Sequence, residues 1–366
     1  MLNAAINGVL AIRIVKVEDS IEGYRLARNV YVEGNRIPLL REGITLDTSY
    51  IDSLKRHQVK YIYIEDPASE GIKVEDVIYE ETRVLANAVM SDILSHNPPP
   101  LTKDNLLEVQ KVARMIVSDI KEYKPRVTIE LWNLKTLKDY LYLHSVNVAV
   151  VSVMIGWRMN LNNQELEDLS LGVLLHDVGK VTVADSIHNK PSKLTTDEFK
   201  EMQQHTARGF AFLRDRGAFN PIVWSVAHQH HEMFDGTGYP KGRKGKEIHQ
   251  YSRIAVVADI FDALTSDRPY KSGWAFHKVI LYMQNIIPDK LDPQVLKTFV
   301  SLIPLYPRGT AVKLSTGEMG MVVENLLGNY HQPIVRVIMD KSGRVLGARE
   351  CREIDLSKET EISIAD

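Results

Sequence analysis

The feature that most constrains this chain is a series of histidines and aspartates spaced along one mostly helical region. Imidazole and carboxylate side chains together suit divalent transition metals such as Fe, Mn, Co, Ni or Zn. Taken alone, a histidine on an apolar helix is more typical of a hydrogen-bonded core residue. If every residue of the series were an ordinary core residue, each would need its own separate reason to be buried. A metal centre accounts for all of them at once, so the pattern favours a metal centre. The series consists of His144, His176, Asp177, His205, His230, His231 and Asp259.

The dipeptide His176-Asp177 is the strongest element of the series. It follows an apolar stretch that includes Leu171, Val173 and Leu175. Both side chains would emerge from a buried helix, where an unpaired charge is costly and a bound metal ion removes that cost. A carboxylate directly after a histidine can also bridge two ions while the imidazole binds one. The local chemistry therefore supports a metal centre.

The pair His230-His231 leads directly into a loop at residues 232–240. Two glycines and a proline in this loop fix an irregular backbone. An ordinary turn at the end of a helix is the alternative interpretation. That alternative does not explain why an aromatic residue and two carboxylates stand beside candidate metal ligands.

Three cationic residues, Lys180, Arg268 and Lys271, are expected close to the candidate metal centre. Arginine forms forked hydrogen bonds with phosphate oxygens, whereas lysine supplies a compact charge. For any one of them, a solvated surface charge is the default interpretation. As a set beside a metal centre, they favour a substrate that contains phosphate.

The chain is predicted to be multidomain, with an all-α catalytic centre between two smaller modules. Short strands with one helix predict a small N-terminal α+β regulatory module, and short strands near the other end predict a small C-terminal β-barrel-like module. The predicted divisions are an N-terminal module at 1–70, a helical linker at 71–124, the catalytic domain at 125–305 and a C-terminal module at 306–366. The expected terminal elements are strands at 12–17, 29–32, 61–64, 311–314, 321–323 and 334–338, and a helix at 49–57.

Two helices are predicted between the N-terminal module and the catalytic region. Apolar residues recur near a period of 3.6 from Val77 to Leu94, and the run of prolines that begins at Pro98 stops that helix. Thr102 is the expected N-cap of the second helix. These helices either join a sensor module to a catalytic one or pack as part of the next domain, and both interpretations stay open. They also suit a homodimer.

Composition limits the binding partners and the cellular compartment expected for the chain. A formal net charge of -2 over 366 residues gives no reason to expect binding to a nucleic acid polymer or a membrane surface. The single cysteine, Cys351, excludes an intrachain disulfide and fits the cytoplasm. The apolar stretch from Val146 to Trp157 is shorter than the roughly 20 residues of a membrane span. A soluble cytoplasmic protein is expected.

Three motifs together resemble the HD-GYP family of bacterial phosphodiesterases. The segment 176–180 resembles the HD signature with its following Gly-Lys, and segments 230–232 and 235–240 resemble the extended GYP signature. The segment 258–270 completes the match, which covers about residues 131 to 290. The N-terminal module resembles a small domain often found ahead of HD-GYP domains.

The resemblance implies hydrolysis of cyclic di-GMP to linear pGpG, and in some members onward to GMP, by a hydroxide that bridges two metal ions. It implies that all seven residues of the series are ligands of two divalent ions, with Fe or Mn expected and Asp177 as the bridge. The resemblance also implies that Asp177 and Lys180 are the catalytic residues. The segment 236–240 becomes a site of substrate access and of contact with a GGDEF-type diguanylate cyclase or another signalling protein. The implied substrate contacts are Lys180, Arg268, Lys271, Gly236 and Tyr239.

One position departs from part of the family. Members with three metals carry a glutamate one helical turn before the first histidine, and here that place holds Tyr140, with Asp139 beside it but off the ligand face. We therefore predict two ions, which puts efficient conversion to GMP in doubt. Two alternatives remain: a cyclic di-GMP receptor that barely hydrolyses its ligand, and an HD-type hydrolase of another cyclic dinucleotide or nucleotide.

Overall fold

The N-terminal part combines two strands and one helix. Strand β1 (Ile12–Lys16) pairs antiparallel with β2 (Tyr61–Glu65), and α1 (Thr48–Arg56) lies between them in sequence. Asp47 caps α1, because its carboxylate accepts a hydrogen bond from the Tyr50 amide at 2.9 Å. All three elements lie within one residue of the predicted bounds. The computed structural model describes residues 12–17, 21–31, 37–57, 59, 61–65, 77–123, 140–188, 190, 192–217, 219–266, 273–326, 329–347 and 349–365.

The strand predicted at 29–32 is wrong over the residues that the structure describes. Val30 forms one isolated bridge with Leu40 and is not part of a ladder. It is nonetheless buried in the same apolar cluster as Leu26, Leu54 and Ile62. A β-branched residue is favoured by burial as much as by strand pairing, and here burial alone accounts for it.

The central part is built from helices that share one hydrophobic core. Thr102 precedes α3, and its hydroxyl accepts from the Asn105 amide at 3.3 Å, as expected of an N-cap. Val77 and Ile78, included in the predicted first helix, lie before α2 and are buried there. The helices are α2 (Glu80–Leu94), α3 (Lys103–Tyr123), α4 (Tyr140–Arg158), α5 (Asn163–Leu174), α6 (Asp185–His188), α7 (Thr196–Asp215), α8 (Pro221–Gln229), α9 (Gln250–Thr265), α10 (Phe276–Asn285) and α11 (Pro293–Val300).

Helices α2 and α3 pack into the core of the central helical part. Met90 and Ile93 of α2 and Ile116 of α3 belong to the same buried cluster as Val146 of α4 and Leu169 of α5. This packing favours the second of the two interpretations, in which both helices belong to the next domain. Helix α4 is enclosed by its neighbours, which explains its apolar run. No described helix is both long and apolar enough to cross a membrane.

The C-terminal part is an antiparallel sheet of five strands in the order β6-β5-β4-β3-β7. Its own small core includes Leu314, Val322, Val335 and Val337. The three strands predicted here are present, two of them longer than expected. The strands are β3 (Ala311–Leu314), β4 (Met319–Leu326), β5 (Asn329–Met339), β6 (Arg352–Asp355) and β7 (Ile364–Ala365).

A glycine allows the segment after α5 to lie against α7. This segment forms a 3₁₀ turn (Val178–Thr182), and Gly179 within it is buried. A Cβ atom at Gly179 would lie 2.0 Å from the carbonyl oxygen of His205 and 2.6 Å from the amide nitrogen of Gly209. Because both obstacles are backbone atoms, only glycine fits. The contact fixes the distance between Asp177, just before the turn, and the helix that carries His205.

We predict that Gly179→Ala lowers the free energy of unfolding by about 3 kcal/mol, because the added methyl group forces the turn away from α7. Urea unfolding of metal-free protein, followed by far-UV circular dichroism, measures the change. Gly347→Ala is the control, since its Cβ would meet only the Glu350 carboxylate at 3.5 Å. Equal stability of the two variants would contradict the close approach.

Candidate metal centre

The structure brings together all seven members of the histidine and aspartate series. His144 lies on α4, His205 on α7 and Asp259 on α9. His176 and Asp177 follow the end of α5, and the adjacent pair 230–231 follows the end of α8. The seven come from five separate helices or helix ends, so the tertiary fold alone brings them together. All are buried except His231, which is partly buried.

The seven residues divide into two groups of donor atoms. In each group, one donor atom from every member lies within 4.8 Å of the others. Such clustering fits a pair of metal sites side by side. One group is Asp177, His205, His230 and His231, and the other is His144, His176 and Asp259.

The Asp177 carboxylate stands between the two groups. Its Oδ2 atom lies 3.3 Å from His176 Nε2 and 3.8 Å from His144 Nε2. Its Oδ1 atom lies 3.5 Å from His205 Nε2 and 3.5 Å from His230 Nε2. Each oxygen therefore faces one group, as a bridging carboxylate requires. Lys180 Nζ also lies 2.5 Å from Oδ2, which places a cation at the edge of the centre.

Three of the histidines are oriented by their own helices. His176 Nδ1 donates to the carbonyl oxygen of Val173 at 2.6 Å, and His205 Nδ1 donates to that of Met202 at 2.6 Å. His230 Nδ1 lies 3.0 Å from the carbonyl oxygen of Ala227. With the proton on Nδ1, each Nε2 atom directs a lone pair toward Asp177, which is the tautomer that a metal ligand needs.

Unsatisfied atoms at the centre indicate that these residues fit a cation. His205 Nε2 and His230 Nε2 lie 3.2 Å apart, and their lone pairs converge. His176 Nε2 and Asp177 Oδ1 are buried and have no hydrogen-bond partner among the described residues. Converging lone pairs and a buried orphan oxygen are unfavourable unless a positive ion lies between them.

Burial and charge set the protonation of the centre. Burial lowers the pKa of His205 to about 3 and also lowers the pKa values of His230 and His231. These three rings are therefore neutral near pH 7 and offer lone pairs. Burial also lowers the pKa of His144, but hydrogen bonds to Asp259 and a second aspartate outweigh burial and raise it to about 9.

The aspartates remain anionic despite their burial. Burial raises the pKa of Asp177, but the neighbouring His176 ring and Lys180 ammonium overcome that effect and hold the pKa well below its ordinary value. Asp259 behaves in the same way, with His144 as its main stabilising partner. Two permanently charged carboxylates and a set of imidazoles form a donor set suited to divalent transition metals.

Two residues of the centre were missed at the level of sequence. Asp262 accepts a hydrogen bond from His144 Nδ1 at 2.8 Å, and Asn147 Nδ2 donates to Asp262 Oδ1 at 3.0 Å. The spacing of both residues along their helices could have indicated them. Asp262 follows Asp259 by nearly one helical turn, and Asn147 interrupts an apolar run nearly one turn after His144.

Hydrogen bonds within the glycine-rich loop after His231 fix its conformation. The buried Glu232 carboxylate accepts from the backbone amides of Lys241 at 2.8 Å and Arg243 at 2.9 Å. Gly236 adopts a φ of 88°, a conformation that favours glycine. The Tyr239 ring lies 4.7 Å from the His231 ring, so the loop forms one wall of the centre. Burial, with the charges of Asp259 and Asp177, raises the pKa of Tyr239 and keeps its phenol neutral.

Some predicted positions lie outside the described residues. They are Arg268, Lys271 and Asp139, together with the side chain of Tyr140, whose backbone begins α4. The expected phosphate contacts of the first two, and the count of two ions, stay predictions.

Comparisons with known proteins agree with this architecture. A family model described as an HD domain matches residues 88–295, and one described as a KOW domain associated with HD domain matches residues 311–366. The chain is 32% identical over 337 residues to a cyclic di-GMP phosphodiesterase of Pseudomonas aeruginosa, covering 83% of this chain and 80% of that protein.

Two further relatives are more distant or shorter matches. A 3′3′-cGAMP-specific phosphodiesterase of Vibrio cholerae is 36% identical over 164 residues, which cover 44% of this chain and 35% of that protein. The solved structure of an HDG"Y"P protein from Bdellovibrio bacteriovorus superposes with a TM-score of 0.50 at 17% identity, covering 79% of this chain and 98% of that one. At that identity, the likeness concerns the fold alone.

We predict that Mn²⁺ stabilises metal-free protein by about 2.7 kcal/mol at a concentration of 100 times its Kd, because the ion binds the folded donor set. Thermal unfolding with and without Mn²⁺ measures the shift. Mg²⁺ at the same concentration is the control, since it prefers oxygen ligands and this centre is rich in imidazole. An equal shift with both ions would argue against a centre of this kind.

Proposed function

This chain belongs to the HD-domain family, in its HD-GYP branch, and we propose that it hydrolyses cyclic di-GMP to linear pGpG at a centre of two divalent transition-metal ions. The observation that carries the proposal is the buried Asp177 carboxylate, with one oxygen toward each group of histidines. A related cyclic di-GMP phosphodiesterase that matches over most of both chains supports the choice of substrate.

The two donor groups would each hold one ion, and Asp177 would be shared between them. Two bound ions would supply a water of lowered pKa as the nucleophile and positive charge for the phosphoryl oxygens. The rings of His205, His230 and His231 are neutral and can bind without losing a proton. His144, with its raised pKa, would give up its Nε2 proton on binding, so uptake of that ion releases a proton.

Several other residues would contact the substrate directly. Lys180, at 2.5 Å from Asp177, would stabilise charge on the nonbridging phosphoryl oxygens. Arg268 and Lys271 would orient the dinucleotide through its phosphates. Gly236 and the neutral phenol of Tyr239 would line the substrate entrance, because the loop forms one wall of the centre.

Several finer points belong to the same proposal. The donor set is suited to Fe or Mn, and Tyr140 in place of a glutamate supports two ions and a reaction that stops at pGpG. The residues before α2 would form a regulatory α+β module. Helices α2 and α3 would belong to the catalytic domain, and the C-terminal sheet would close as a small barrel.

The proposal also includes two kinds of protein partner. The 236–240 segment would contact a GGDEF-type or other signalling protein, and α2 and α3 suit a homodimer.

A second candidate substrate is 3′3′-cGAMP, favoured by the similarity to the Vibrio cholerae enzyme over the catalytic region. A centre of this kind would bind phosphate oxygens through its metal ions, and both cyclic dinucleotides supply the same phosphodiesters. Turnover of cyclic di-GMP, 3′3′-cGAMP and cyclic di-AMP by one metal-quantified sample would rank them. Binding of cyclic di-GMP without turnover of any of the three would favour the receptor alternative.

We predict that Asp177→Ala abolishes metal retention and lowers kcat by more than about 1000-fold, because both donor groups lose their shared ligand. Anaerobic purification, elemental analysis and turnover of cyclic di-GMP on the same sample measure both effects. Asp197→Ala is the matched control, since that side chain is 93% exposed on α7. Full activity of Asp177→Ala without bound metal would end the metal-hydrolase hypothesis.

We predict that Arg268→Ala raises KM about tenfold and leaves the metal content unchanged, since it removes a phosphate contact and no ligand. Steady-state kinetics beside elemental analysis separates the two quantities. Arg214→Ala, at a half-exposed position on α7, serves as the control for loss of a positive charge. Loss of metal from Arg268→Ala would assign that residue a different role.

A further inference from the structure

A chain of hydrogen bonds connects the first turn of α2 with a candidate metal ligand. Arg83 Nη1 donates to Asn147 Oδ1 at 3.3 Å. Asn147 Nδ2 donates to Asp262 Oδ1 at 3.0 Å, and His144 Nδ1 donates to Asp262 Oδ2 at 2.8 Å. Three successive hydrogen bonds thus separate the guanidinium from the imidazole. The last three of these residues are buried, whereas Arg83 is partly exposed.

Arg83 and Asp262 hold opposite ends of the Asn147 amide. An asparagine side chain carries an acceptor at one end and donors at the other, and the two ends exchange by a half turn of the amide. Guanidinium is a donor only, so it holds Oδ1 of Asn147 outward. The amide nitrogen is then left to face Asp262. Without Arg83, the amide loses one hydrogen bond at its outer end, and Nδ2 is held less firmly against the buried carboxylate.

The state of Asp262 in turn determines the geometry of His144. The carboxylate is buried and must be satisfied by donors, which include Asn147 Nδ2, His144 Nδ1 and the Ser266 hydroxyl at 3.0 Å. When His144 Nε2 binds a metal, Nδ1 must carry the proton that Asp262 accepts. A carboxylate displaced by a shift of the Asn147 amide would turn the His144 ring and misdirect Nε2.

We propose that Arg83 is a positioning residue for the metal centre and acts through Asn147 and Asp262 on the orientation of His144. The inference rests on the metal centre proposed above. It concerns one donor group only, that of His144, His176 and Asp259. The histidines 205 and 230 of the other group are oriented by their own helices and do not depend on Arg83.

The N-terminal residues hold the same helical turn. Glu80, the first residue of α2, accepts from Asn29 Nδ2 at 2.8 Å and from the Tyr31 hydroxyl at 2.5 Å. Glu80 precedes Arg83 by three residues, which is nearly one turn of helix. Contacts made by the N-terminal part therefore set the position from which Arg83 reaches Asn147. Through this turn, the N-terminal part influences one of the two ion sites.

The test is a calorimetric titration of Mn²⁺ into metal-free protein, which requires no substrate. Arg83→Met should weaken one of two binding steps about tenfold, the low end for loss of an outer partner, and leave the other step unchanged. Arg83→Lys should retain most of the affinity, because lysine is also a donor only. Arg114→Met is the matched control, since Arg114 is exposed on α3.

A milder variant tests the N-terminal contact. Tyr31→Phe removes one hydroxyl and should weaken the same binding step about threefold, as expected for one hydrogen bond. Unchanged Mn²⁺ affinity of Arg83→Met at both steps, or equal weakening of both, would overturn the role of Arg83. Wild-type behaviour of Tyr31→Phe would overturn the influence of the N-terminal part. Failure of the wild-type protein to bind Mn²⁺ would instead refute the metal centre itself.

Discussion

The structure depends on one buried negative charge, that of Asp177. A carboxylate removed from water must be compensated on both oxygens, and the fold does so by directing histidines from four helices or helix ends toward it. Gly179 is required because the turn that follows this carboxylate must touch the backbone of α7. The arrangement of the surrounding helices is therefore inseparable from the electrostatics of a single side chain.

Sequence reasoning selected the seven residues that the structure brings together, because buried histidines and carboxylates are costly unless they bind a partner. It did not find Asp262 or Arg83, since hydrogen-bond partners are selected by tertiary approach. Asp262 lies 118 positions from His144, and Arg83 lies 64 positions from Asn147. The strand predicted around Val30 is wrong for a related reason. A buried side chain and a paired strand both favour β-branched residues, so the sequence does not distinguish them.

The packing of α2 and α3 distinguishes between the two interpretations of these helices. Periodicity predicted α2 and α3 but could not say against what their apolar faces pack. Met90 and Ile116 lie in the core that includes Val146 of α4, so these helices shape the interior around the centre. A linker would transmit motion between separate bodies, whereas a packed helix changes the centre only by small shifts of its own turns.

The histidines of the centre differ in how their rings are oriented, and this difference has a consequence for the site of His144. His205 and His230 are oriented by carbonyl groups three residues earlier, so their rings are aligned as soon as each helix forms. His144 is aligned only after α4 and α9 have met. The fold brings the ligands of both sites together, but the orientation of His144 also requires the contact between α4 and α9. A strain that moved α9 relative to α4 would misdirect His144 and leave the rings of His205 and His230 aligned, so ion occupancy at the site of His144 would report on the contact between these two helices.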